Sequence, residues 1–279
     1  MIYLVLSIIC SALLSIVIRH SEKHVEGGVA MFAVNYVVCV VLSLYYSGVG
    51  KVSVQAEGFG FTMMLGSMTG VLYLAGFLLH QLNIKKNGVV MSATFMQLGL
   101  MVPVLMSAIK FDEKMQTAQI VGFVLAIGAI LLINLQKDDT TMQFKIGLIF
   151  LLLVNGFANG MSKIYEFYGK EEFASHFLLF TFGVACILSV ILSVAKKERI
   201  TKYHFIYGFM IGVPNYYCSR FLLKALLKMP AVVAYPTSSV GGIVLVSLAG
   251  LFLFKERLSK RQWTAIGLIL IALVLLNIK

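Results

Sequence analysis

Asn155, Asn159 and Lys163 stand four residues apart in an otherwise apolar run, LLLVNGFANGMSK. On a helix that spacing puts all three on one face. An earlier apolar run carries Ser11, Ser15 and Arg19 at the same spacing. Polar groups facing hydrocarbon are costly, so such stripes face a protein interior or a watery cavity. Amides and hydroxyls there could bind a small polar solute by hydrogen bonds, and the cations could hold an anion. Arg220 adds a cation inside another apolar segment, just after Gly212-Val213-Pro214-Asn215-Tyr216-Tyr217. Pro214 removes a backbone donor, and a kink there can offer a carbonyl to a ligand. Tyr73 and Tyr216, with Tyr36, Tyr217 and Tyr235, could instead hold a quaternary ammonium by cation–π contact. Thr94 and Thr237, with Gln97, Ser238 and Ser239, supply further donors.

Each of these residues also has a plainer role. Arg19, Lys163 and the stripe Arg220, Lys224, Lys228 can snorkel to lipid headgroups. The tyrosines can be packing or an interfacial belt. The hydroxyls can join helices to one another. The candidate substrate-binding set is therefore Ser11, Ser15, Arg19, Tyr73, Thr94, Asn155, Asn159, Lys163, Asn215, Tyr216, Arg220 and Thr237.

Chemistry of other kinds finds little support. No Asp or Glu falls in the middle of an expected helix; Glu166, near the end of one, is the exception to watch. A central carboxylate that trades a cation for protons is therefore not expected. Glu113 and Glu256 sit beside Lys114 and Arg257 at helix boundaries. They read first as a cap or ion pair at the start of the helix that follows, and second as proton-coupling groups. The five histidines are scattered, with His80, His176 and His204 near helix ends, where they read as interfacial. No metal set, cofactor or enzymatic constellation is implied. Cys10, Cys39, Cys186 and Cys218 each lie in an apolar stretch, without a CxxC pattern or disulfide framework. No P-loop is present, so ATP is not the direct energy source.

The elements that must position these residues are membrane helices. Of the 279 residues 59% are hydrophobic and 13% charged, and the mean hydropathy is +0.92. Apolar stretches of about 20 residues, the length that crosses a bilayer, follow one another with charges in the gaps. Hydrocarbon cannot satisfy bare backbone groups, so these stretches are expected to be helices. Short alternating segments of a β-barrel are absent. Helices are expected near 2–19, 29–48, 59–80, 87–109, 115–135, 144–164, 173–195, 203–227, 230–254 and 259–278. The first stretch lacks a basic leader and a cleavage site, and is read as a spanning helix. The gaps leave no room for a soluble domain. The net charge of +11 is spread over helix ends, which points to orientation and headgroup contact rather than nucleic acid. Lys and Arg are more numerous in the gaps on the side away from the termini, which places both termini outside.

The chain repeats itself. FDEKMQTAQIVGFVLAIGAILLIN, from Phe111, aligns without gaps on FKERLSKRQWTAIGLILIALVLLN, from Phe254. Glu113 then matches Glu256, Gln119 matches Gln262 and Asn134 matches Asn277. The same offset pairs Lys85 with Lys228, Thr94 with Thr237, Gly99 with Gly242 and Tyr73 with Tyr216. One residue more brings Ser11, Ser15 and Arg19 onto Asn155, Asn159 and Lys163. The second and seventh helices show little of this. The expected halves are 1–138 and 139–279, each of five helices. An odd number makes the halves insert with opposite orientation, an arrangement of transporters whose site lies between the repeats.

The glutamates of the two matched segments, with a basic residue ending the first and sixth helices, resemble the EamA-like branch of the drug/metabolite transporter superfamily. The resemblance spans nearly the whole chain. It implies an all-α, ten-helix membrane protein that moves small metabolites or drugs, often outward, with Glu113, Glu256, Arg19 and Lys163 at the signature positions. Many members carry a proline ahead of each signature glutamate, where this chain has Leu100 and Ile243, so its helix breaks are expected to differ. The expectation is a secondary transporter in the cell membrane for a small polar, carboxylate-bearing or amino-acid-like compound, working by alternating access and exporting it. A carrier of quaternary or lipophilic cations is the alternative within transport, and a non-transporting membrane enzyme or assembly factor the alternative outside it. The partners implied are the small-molecule substrate and the bilayer. A monomer suffices, and a dimer is compatible.

Overall fold

The computed structural model describes residues 1–21, 24–25, 28–48, 56–87, 95–96, 99–134, 145–253 and 260–276. Among them are ten α-helices, a single 3-10 turn and no strand. The helices are α1 (Ile2–Ser21), α2 (Val29–Ser47), α3 (Phe59–Asn87), α4 (Met101–Lys110) and α5 (Thr117–Asn134). They continue with α6 (Lys145–Tyr168), α7 (Ala174–Ala195), α8 (Lys202–Leu226), α9 (Ala231–Leu253) and α10 (Lys260–Leu276). The 3-10 turn Glu171–Phe173 leads into α7.

Most boundaries fall where charge interrupts the apolar runs. The exception is α3, which continues through the Lys85-Lys86 pair that the sequence reading took as a gap. Lysine is a good helix former, and charge at a helix end does not break the chain. Asn83 also anchors the extension: its buried amide donates to Gly147 O at 3.0 Å, against α6. The N-terminal part of the expected fourth helix, including Thr94, lies outside the described residues.

The helices form two compact units. One comprises Met1–Leu74 and Ile164–Leu227, the other Ala75–Lys163 and Lys228–Lys279. The division falls within α3 and within α6, so each unit draws on both expected halves of the sequence.

In the first unit α2 packs on α7 and α8, and α1 on α8. Small residues make the close approaches. A Cβ at Gly212 would stand 2.6 Å from Val38 Cβ and 2.9 Å from Asn35 O; Gly208 meets Val34 and Met31 in the same way. Gly66 and Gly70 give α3 the same closeness to α7, at Phe177 and Thr181. Without Cβ atoms, backbones approach and van der Waals packing takes the place of hydrophobic drive. In the second unit α5 packs on α10, and α9 on α4, α5 and α10. Ala126, Ala129, Val240 and Ala272 form its small-residue core.

The outside of these helices is apolar. Val37, Val41, Ile187, Ile191, Val194 and Phe209 are exposed, while Ser43, Thr69, Thr181 and Ser189 are buried. The buried hydroxyls donate to carbonyls of their own helix: Ser43 to Cys39 O at 2.7 Å, Thr69 to Leu65 O at 2.7 Å. A greasy exterior over a locally satisfied polar interior is what a lipid solvent selects. Helices α2, α3, α6 and α7 contain spans long and apolar enough to cross a membrane. Trp263, the only tryptophan of the chain, is 52% exposed in the first turn of α10.

Candidate functional site

The candidate residues gather into two clusters, one in each unit. The second unit holds the Lys163 cluster. Beyond α4 the chain turns through Asp112, at φ 52, and Glu113 N donates to Ser107 O at 3.3 Å. This turn presents the Glu113 carboxylate to two partners. Its Oε1 lies 2.7 Å from Lys163 Nζ, and its Oε2 accepts from Val232 N at 3.2 Å. Val232 is the second residue of α9, so the carboxylate also meets the positive end of that helix. Glu113 was expected as a cap or ion pair at the start of the helix that follows it; it pairs with Lys163 and caps α9 instead. The side chains of Lys163 and Glu113 are 4% and 15% exposed. Lys163 thus has an internal counter-ion in Glu113.

Asn159 and Asn155, on the same face of α6, turn their amides inward. Asn155 Nδ2 donates to Leu151 O at 3.0 Å and Asn159 Nδ2 to Asn155 O at 2.8 Å. Tyr235 Oη donates to Asn159 O at 2.6 Å, tying α9 to α6. Gly76 brings α3 against Asn155: a Cβ there would stand 3.4 Å from its amide.

The first unit holds the Arg220 cluster. Arg220 lies on α8 one turn beyond Tyr216, and its Nη1 donates to Tyr216 Oη at 2.9 Å. The same nitrogen is 3.3 Å from Ser175 Oγ, at the start of α7. Arg220 Cζ lies over the ring of Tyr46, at the end of α2, 3.8 Å from its centroid. The Tyr46 and Tyr217 hydroxyls are 3.0 Å apart, and the rings of Tyr46 and Tyr216 stack at 5.9 Å. Tyr216 is fully buried, while Tyr46 is 37% exposed. No described carboxylate pairs with Arg220. Tyr216, Tyr217 and Arg220 stand out in the sequence; Tyr46 and Ser175 do not. The doublet Tyr45-Tyr46 was the available signal, and it reads equally well as an interfacial belt.

Other candidates sit around this cluster. Tyr73 and Tyr216, the repeat-related pair, both contact the ring of buried Phe182, at 6.2 and 6.1 Å. Asn215 Nδ2 donates to Asn35 Oδ1 at 3.0 Å, a buried link between α8 and α2. Ser11 lies on α1 and Thr237, buried, on α9. Ser15 and Arg19 lie on α1, but their side chains are outside the described part, as are Thr94 and Glu256. His176 and His204 are buried rather than facing headgroups. His176 packs edge-on against Phe59, and His204 Nδ1 accepts from Thr201 N at 3.1 Å in a capping box.

Residues 176–271 match the Small Multidrug Resistance protein family. An uncharacterized protein of Haemophilus influenzae is 26% identical over 277 residues, covering 94% of this chain and 93% of that one. A probable 4-amino-4-deoxy-L-arabinose-phosphoundecaprenol flippase subunit ArnE of Hamiltonella defensa is 39% identical over 55 residues, 20% of this chain and 49% of that protein. One crystal structure has the same fold, with a TM-score of 0.78 at 13% identity, over 99% of this chain and 95% of the other. The family match and the flippase subunit are likenesses to small-molecule transporters, each over part of the chain. With the apolar helices they describe a multi-pass membrane protein.

Proposed function

We propose that this protein exports a small, carboxylate-bearing metabolite across the cell membrane by alternating access between two five-helix repeats. Arg220 carries the reading: a guanidinium inside an apolar helix, held by tyrosines and not neutralised by any described carboxylate. A charge in a membrane helix is costly and marks a substrate or ion pathway. Lys163, the cation of the other cluster, is already balanced by Glu113. Glu166, near the end of α6, is the one acidic residue within the described α-helices, so a cation would find little countercharge along them.

The contacts support the repeat. Helix α1 packs on α8, and its counterpart α6 meets α3. The glycine seam of α8 faces α2, and that of α3 faces α7. The pairs α2 with α7, α4 with α9 and α5 with α10 join repeat-related helices. The second and seventh helices, weak in sequence matches, thus take matching places in the packing.

The Small Multidrug Resistance match favours a second reading, a lipophilic or quaternary cation held on the tyrosine rings. Counterflow in proteoliposomes separates the two. Labelled amino acids, organic acids and quaternary cations would be tested on the wild type and Arg220→Gln. The expected result is saturable flux of a carboxylate compound that Arg220→Gln abolishes. Flux of quaternary cations alone, undiminished in Arg220→Gln, would refute the proposal.

A further inference from the structure

We infer that Arg220 is a two-pronged carboxylate receptor at the meeting of α2, α7 and α8, and that it selects monocarboxylates with an apolar or aromatic body. This deepens the transporter reading and rests on it for the role of the ligand.

Guanidinium has a plane, two faces and two usable edges. Its Cζ lies over the Tyr46 ring, 3.8 Å from the centroid. Nη1 is committed twice, to Tyr216 Oη at 2.9 Å and Ser175 Oγ at 3.3 Å. The remaining edge, Nε with Nη2, makes no hydrogen bond to any described residue. Neither atom is among the buried polar atoms sealed off without a partner. That edge is the one whose two parallel N–H groups match the two oxygens of a carboxylate.

The fork is also held in place before any ligand arrives. Tyr216 is fully buried and fixes one end. The contact between the Tyr46 and Tyr217 hydroxyls, at 3.0 Å, fixes the ring beneath it. A guanidinium already oriented spends less conformational entropy on its ligand. Nor does it snorkel towards the end of α8. Its bond to Tyr216 turns it one helical turn back, away from Leu226.

The surroundings narrow the ligand class. Tyr46, Tyr216, Tyr217 and Phe221 form a connected set of rings around the fork. Among the described residues no carboxylate ion-pairs with Arg220 or hydrogen-bonds to Ser175 or these tyrosines, so the fork has no internal anion to compete with a ligand's carboxylate. A planar carboxylate on an apolar or aromatic body satisfies both the fork and the rings.

A lipid phosphate would offer the same anionic chemistry to the same edge, and the test separates the two sources. The wild-type protein in phosphatidylcholine nanodiscs would be treated with phenylglyoxal, an arginine-selective reagent. Modification at each arginine would be followed by peptide mass spectrometry, with benzoate or benzamide present. Exposed Arg199 is the internal reference. Benzoate at ten times its dissociation constant is expected to slow modification of Arg220 about tenfold, leaving Arg199 unchanged. Benzamide, with the same body and no charge, is expected to have no effect. Tyr46→Phe keeps the protection and Tyr46→Ala loses most of it. Equal effects of benzoate and benzamide would overturn the inference. So would an Arg220 that is already slow to react without benzoate in nanodiscs and turns fast only in phosphate-free detergent, since a lipid phosphate would then own the edge. Carboxylate flux without benzoate protection would remove this site and leave transport standing. Protection without flux of any solute would do the reverse.

Discussion

Removing the Glu113 carboxylate should cost more than removing the Lys163 ammonium, and removing both should restore much of the loss. The two charges are 2.7 Å apart and largely out of solvent, at 15% and 4% side-chain exposure. Even at 4 Å, and an effective dielectric constant near 20, such a pair attracts by about 4 kcal/mol. Desolvation offsets much of that, so the net value of the intact pair is small, but stripping one partner costs about 3–5 kcal/mol. The two halves are not equivalent. After Lys163→Met, Glu113 still accepts from Val232 N and still faces the N-terminus of α9, which returns roughly 0.3–2 kcal/mol. After Glu113→Gln, Lys163 keeps its charge without that carboxylate. We therefore expect losses of about 3–5 kcal/mol for Glu113→Gln and about 2–3 kcal/mol for Lys163→Met. The double variant should lie closer to the wild type than Glu113→Gln, so the coupling should exceed the Lys163→Met loss, at about 3 kcal/mol. Denaturant unfolding in micelles, run as a double-mutant cycle, measures all three. A coupling within about 0.5 kcal/mol of zero would refute the reasoning, because the side chains would then be independent.

Four further outcomes follow from the glycines and the helix ends. Gly212→Val should destabilise the protein by about 1–3 kcal/mol through overpacking, since a Cβ there meets Val38 Cβ at 2.6 Å. Gly128→Ala, where a new Cβ meets nothing within 4 Å, should be neutral or stabilising by up to about 1 kcal/mol; thermal unfolding of the pair reads the contrast. Glu198→Gln should weaken the start of α2 by about 0.5–1 kcal/mol, because Glu198 Oε2 accepts from Ala30 N at 2.8 Å. Hydrogen exchange at the first turn of α2 would show it as faster exchange there and unchanged exchange in α5. Gly48→Ala should cost about 1 kcal/mol, because Gly48 ends α2 at φ 60, and unfolding in micelles would again report it.

What the sequence made legible depended on distance along the chain. The stripe of Asn155, Asn159 and Lys163 is periodic, and α6 carries it on one face as spacing requires. Tyr216 and Arg220 are one turn apart, so their hydrogen bond could be drawn from numbering alone. Partners from other helices were not legible. Nothing in the run around Lys163 names Glu113 as its counter-ion, and nothing near Glu113 points to Val232. Tyr46 and Ser175 meet Arg220 from α2 and α7 because of packing that local pattern does not encode. The glycine seams were visible as composition, yet which helix each one faces depends on a choice among several apolar surfaces. The end of α3 is hidden for the opposite reason: two adjacent lysines look like a break, yet lysine is a good helix former and α3 runs through them to Asn87.

The exposed Trp263 gives the protein a spectroscopic ruler. With a single indole in the chain, half exposed in the first turn of α10, tryptophan emission comes from one known height on the molecule. Lipids brominated at successive acyl positions would report how deep that height lies. An impermeant quencher added to one side of a sealed vesicle would report which leaflet it faces. Both readings come from unmodified protein, without engineered cysteines or fused reporters, and together they assign the start of α10 to one face of the bilayer.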